Sequence, residues 1–123
     1  MSHAEKRQHP RVFFNETSDI VAHFERNKGD GEGFAAFVMN MSVGGIGIST
    51  RERTSGVIKQ GDTLHLNFIK QGGSTSPVRG ITSRVQWVLE EPTSDKLVVG
   101  LEFMLVDSLM GGVIQKFLDN VAA

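Results

Sequence analysis

The stretch TLHLNFI, residues 63 to 69, alternates apolar and polar side chains one for one. Leu64, Leu66 and Phe68 fall on one face and His65 and Asn67 on the other, the two-residue period of a half-buried β-strand. Reading outward from it, the same period recurs twice. Ile81, Val85, Trp87 and Leu89 alternate with Thr82, Arg84 and Gln86, and Leu97, Val99, Leu101, Phe103 and Leu105 alternate with Val98, Gly100, Glu102 and Met104. Towards the N-terminus, Ile20, Ala22 and Phe24 share a face, and the glycines of NKGDGEG (27–33) turn the chain into FAAFVMNM (34–41), which is apolar on both faces. IGIS (46–49) reads as a further short strand, and KQGGSTSP (70–77) as a loop. Six strands are therefore expected.

The tail changes period. Met110, Val113, Ile114, Phe117, Leu118 and Val121 recur at helical spacing, with Asp107 or Ser108 available as the cap. Gly111 and Gly112 oppose a helix by about 1 kcal/mol each relative to alanine, but an apolar stripe packed on a sheet outweighs that. The expected fold is all-β: a six-stranded antiparallel β-barrel with a C-terminal α-helix over one opening, an arrangement that leaves few strand edges bare.

Composition narrows the function classes. A chain of 123 residues with 39% hydrophobic content fits one domain with a single modest core. Its 13 Lys and Arg are balanced by 14 Asp and Glu, so no bulk positive field draws it to nucleic acid or to an anionic membrane. Any anion it binds must be met locally. It has no cysteine, hence no disulfide or thiolate chemistry, and neither the start MSHAEKRQHPR nor any later run is apolar enough for a signal peptide or a membrane span. The reading is cytoplasmic, without membrane insertion.

Chemistry-bearing residues gather in two places. In EKRQHPR (5–11), Lys6, Arg7 and Arg11 surround Pro10, which disfavours a helix and biases His9 to an extended conformation. Arg7 and Arg11 then sit on an exposed, adaptable segment, and guanidinium groups suit phosphates and the O6 and N7 edge of guanine. A solvated basic tail would look the same. In NMSVGGIGIST (40–50), Asn40 offers an amide, Ser42 a hydroxyl, and Gly44 and Gly45 permit close backbone approach. That set can read a polar ligand edge, or it can be a turn whose side chains satisfy local backbone groups.

Taken together the two clusters resemble the PilZ domain family, whose signature pairs an R-x-x-x-R motif before the first strand with a D/N-x-S-x-x-G motif after the second. Here these read Arg7-Gln8-His9-Pro10-Arg11 and Asn40-Met41-Ser42-Val43-Gly44-Gly45, and the resemblance continues through VGLEF (99–103) and the closing helix. It implies a six-stranded barrel that binds the bacterial second messenger cyclic di-GMP, in one domain over residues 1–123. Residues 1–12 would be a flexible ligand-binding segment, 18–106 the barrel and 107–121 the helix. Arg7 and Arg11 would hold guanine and phosphate, Asn40 and Ser42 would contact guanine, and Gly45 would keep the wall low. Lys6, directly before the first arginine, points to a stacked pair of ligands rather than one. Gly44 and Trp87 are secondary candidates, Trp87 because related sequences can place an aromatic near the ligand, although its face-sharing with Ile81, Val85 and Leu89 argues for packing.

The resemblance further implies a non-enzymatic receptor that passes its signal to a downstream protein, or else an adaptor for motility or pilus machinery that needs no nucleotide. Members of the second kind typically lack the arginine motif, which is present here. No cofactor and no metal is expected: the histidines at 3, 9, 23 and 65 have no ligand spacing, and GDGEG (29–33) lacks the donor count and closing glutamate of a calcium loop. Gly45-Ile46-Gly47 lacks the third glycine of a dinucleotide loop. A nucleic-acid-binding barrel would need aromatic platforms, and Tyr is absent while Trp87 stands alone.

Overall fold

The computed structural model describes residues 10–26, 33–50, 58–90 and 96–122. The strands are β1 (Val12–Phe13), β2 (Ile20–Glu25), β3 (Gly33–Ser42), β4 (Gly45–Thr50), β5 (Thr63–Gln71), β6 (Ser74–Glu90) and β7 (Leu97–Phe103), followed by the helix α1 (Ser108–Ala122). Their order in the sheet is β1-β3-β2-β5-β6-β7-β4, and β4 also pairs with β3, so the sheet closes into a six-stranded antiparallel barrel. β1 is the extra strand. It adds only two register pairs, Val12 with Met41 and Phe13 with Asn40, and the sequence had given no period long enough to announce it.

The interior follows from the alternation. Ile20, Ala22 and Phe24 on β2, Leu64 and Leu66 on β5, Ile46 and Ile48 on β4, and Val99 and Leu101 on β7 are all buried in one cluster, which Ile114, Phe117 and Leu118 of α1 join. The helix forms despite its glycines because this stripe is buried. Asp107 is the cap: its Oδ1 accepts from the Met110 N–H at 2.8 Å. A Cβ on Gly111 would lie 3.8 Å from Val43 Cγ1, so the helix rests beside the turn between β3 and β4. Buried Ser83 is satisfied by donating to the Leu64 carbonyl at 2.8 Å.

The simple alternation fails where the ladder slips. A bulge between Val85 and Trp87 in the β6–β7 pairing shifts the phase, so Trp87 and Leu89 face outward, 48% and 59% exposed, instead of sharing the inward face of Ile81 and Val85. A second slip between Phe68 and Lys70 brings Ile69 into the core in place of Phe68. Phe68 instead stacks on His23 outside the barrel, ring centroids 4.4 Å apart. Leu105 is 96% exposed with φ +56°, because β7 ends at Phe103. The expected loop 70–77 shrinks to a turn at Gly72 and Gly73, both at positive φ, with β6 starting at Ser74. Among the described residues, no helix is long and apolar enough to cross a membrane.

Two measurements test this packing. Phe24 is fully buried and stacks on Phe34, so Phe24→Ala should lose about 3–5 kcal/mol in urea unfolding, whereas Leu105→Ala should change stability by less than about 0.5 kcal/mol. Burial, and then the positive Lys70, push the His23 pKa below the ordinary 6.5. The unfolded chain therefore takes up the proton first, and the stability from neutral His23 is complete above pH 6.5 and lost as pH falls through the lowered folded value. His23→Phe should flatten the decline of the urea midpoint below that pH; an equal decline in both proteins would contradict the account.

Candidate functional site

Two lateral rows of residues cross the outer wall of the barrel. The first runs Ser42, Gly45, Glu102, Arg84 across β3, β4, β7 and β6, and the second runs Phe13, Asn40, Gly47, Gly100, Trp87 from β1 to β6. Ile46, Ile48, Val99 and Leu101 point into the core, so the intervening Gly45, Gly47, Gly100 and Glu102 face outward. Three of those four positions are glycine. The result is a trough in the wall where side chains would otherwise stand, with a cavity of about 500 Å³. Arg11, Asn40 and Ser42 line it from one side, Gln86, Trp87 and Glu102 from the other.

Each glycine makes room for something different. A Cβ on Gly47 would lie 2.7 Å from Asn40 Nδ2, so the amide rests on the strand beneath it. A Cβ on Gly100 would overlap the Trp87 indole, which lies across β7 at that point. On Gly45 a Cβ would come within 2.5 Å of the Leu101 carbonyl oxygen and 3.4 Å of Arg11 Nη2. Gly45 was expected to keep the wall low for a ligand; its tighter constraint is the backbone of β7.

Arg11 is fixed by the fold. Its Nη1 donates to Asn40 Oδ1 at 2.7 Å, which joins the second arginine of one motif to the first residue of the other. The adaptable segment expected up to residue 12 is therefore anchored from Arg11 onward, by this bond and by the β1 pairing. Ser42 is buried, and its Oγ accepts from the Gly44 N–H at 3.1 Å, a turn-forming role. The Gly44 carbonyl accepts from Phe103 N at 2.9 Å, tying the turn to the end of β7. Across the trough, Gln86 Nε2 donates to Glu102 Oε1 at 3.2 Å.

The structure thus brings Arg11, Asn40, Ser42, Gly44 and Trp87 around one cavity, with Gly45 behind Arg11. Arg7 and Lys6 lie outside the described residues. Gly47, Gly100, Gln86 and Glu102 were missed as lining residues. Glycine at outward positions of two strands was the available signal for the first two, and it needs the β4–β7 register to be seen. The arrangement offers a guanidinium, amides, a carboxylate and an indole face, enough to hold a flat heteroaromatic ligand with anionic groups. Among the described residues, no group of three or more His, Asp or Glu is placed to hold a metal ion.

Comparison with known proteins identifies the family and the fold. The family model of the PilZ domain matches residues 5–120. No curated protein matches the sequence. Among solved structures, the PilZ domain of YcgR from Escherichia coli with c-di-GMP is 10% identical, with a TM-score of 0.67 and coverage of 94% of this chain and 91% of that one. The K. pneumonia MrkH–c-di-GMP complex is 18% identical, with a TM-score of 0.66 and coverage of 94% and 52%. The Bacillus subtilis inhibitor of motility MotI/DgrA is 18% identical, with a TM-score of 0.64 and coverage of 93% and 50%. The chain thus spans about half the length of MrkH and of MotI.

The glycine floor can be tested directly. Gly100→Ala should drive the indole of Trp87, the chain's single tryptophan, out of the trough. Red-shifted emission and easier acrylamide quenching, with unchanged far-ultraviolet dichroism, are the expected result.

Proposed function

This chain belongs to the PilZ domain family, and on that premise we propose that it is a non-enzymatic receptor for cyclic di-GMP. One observation carries the reading: Arg11 of the first motif and Asn40 of the second are hydrogen-bonded to each other at the rim of a cavity that Ser42 and Trp87 also line. Two proteins of the same fold, YcgR and MrkH, hold that ligand in their solved complexes. The chemistry of the lining suits it. Arg11 can donate a pair of hydrogen bonds to the O6 and N7 acceptors of guanine or to a phosphate, and the Trp87 face can take a base by stacking.

Arg11 is positioned before any ligand arrives, so its side-chain entropy is largely spent in folding rather than in binding. In this reading Arg7 joins from the preceding residues and closes over the ligand, with Lys6 favouring a stacked pair. The ordered segment and its surroundings then form a new face for a protein partner. The purified chain should bind cyclic di-GMP at micromolar concentration or below in calorimetry, with two ligands per chain and a change in Trp87 emission. Arg11→Ala should weaken binding at least 100-fold while the fold survives, since Arg11 lies outside the core. An adaptor that needs no nucleotide would give no heat at all.

A further inference from the structure

We propose that Glu102, which belongs to neither motif, selects guanine in this cavity: its carboxylate accepts hydrogen bonds from the N1 and N2 donors of a base that lies against Trp87. The inference rests on the receptor reading above and adds to it the residue that sets base specificity.

Glu102 and Gly100 face outward on the same strand, two residues apart, which separates them by about 7 Å. The Trp87 indole covers Gly100, and Glu102 lines the same cavity. A purine stacked on the indole therefore brings its edge within reach of the carboxylate. Gln86 holds that carboxylate by donating to Oε1 at 3.2 Å, and among the described residues it is the partner that orients the group.

The lining divides into donors and acceptors. Arg11 offers donors only; Asn40 Oδ1 and buried Ser42 Oγ each already accept one hydrogen bond, from Arg11 and from Gly44, which leaves one lone pair apiece, and Gln86 adds an uncharged amide oxygen. Among the described lining residues Glu102 is the one carboxylate. Guanine presents acceptors at O6 and N7 and donors at N1 and N2, so Arg11 and Glu102 can divide its edges between them. Adenine presents a lone pair at N1 in place of the N1–H, and a carboxylate facing it would be repelled. Glu102 thus selects partly by rejection.

A carboxylate aimed at a phosphodiester would behave in the opposite way, since removing its charge would tighten binding. The test is calorimetry on the full chain and on Glu102→Gln with cyclic di-GMP, cyclic di-IMP, which lacks the N2 amino group, and cyclic di-AMP. Wild type should prefer the guanine ligand over the hypoxanthine one by about tenfold or more and over the adenine one by more again. Glu102→Gln should bind cyclic di-GMP about 10- to 100-fold more weakly and lose most of that preference, with unchanged thermal unfolding because the side chain is exposed. Equal or tighter binding of cyclic di-GMP by the variant, or an unchanged preference, overturns the role of Glu102 and leaves the receptor reading standing. Absence of wild-type binding overturns both.

Discussion

Closure of the barrel depends on β4, a strand of six residues that must pair with β3 on one side and β7 on the other. Its inward residues Ile46 and Ile48 anchor it in the core. Its outward positions Gly45 and Gly47 let neighbours come closer than any side chain would allow, the Leu101 carbonyl at one and the Asn40 amide at the other. Paired on both sides, β4 is the short path from β3 to β7 that sets Asn40 and Trp87 around one trough. β4 thus closes the fold through its two ladders and opens the cavity through its missing Cβ atoms.

That coupling explains what could be read in the chain and what could not. The core of β2, β5 and β7 was legible because each strand buries one face and exposes the other, and alternation records that directly. Phe68, Trp87, Leu89 and Leu105 were misread for local reasons that alternation does not carry: two ladder slips and a left-handed residue just beyond the end of β7. The strand β1 escaped because two residues contain no period. For the site, Arg11, Asn40 and Ser42 could be nominated from residue type and order, but their meeting needed β1 to lie beside β3. Gly100 and Glu102 had looked like the ordinary outer face of a strand. Only the register that sets Gly100 between Gly47 and Trp87 reveals the floor.

The electrostatics of the trough are local rather than global. The chain carries a formal net charge of −1, yet the cavity places Arg11 on one wall and Glu102 on the other. Each has a neutral amide partner, Asn40 for the cation and Gln86 for the anion. These contacts help to set a donor-bearing wall opposite an acceptor-bearing one, which suits a ligand that offers acceptors at one end and donors at the other.

The slip in β6 has a wider meaning. A bulge is a phase shift of one residue: with it Trp87 looks outward and Val88 packs against the core, and without it the same residues would exchange faces. The room for that arrangement is not in β6. It lies in the neighbouring strand, where Gly100 leaves the outer surface bare and gives the indole somewhere to rest. A strand's hydrophobic pattern is therefore a message whose reading frame is kept by the strand beside it, and a binding wall can be written in one segment and switched on from another.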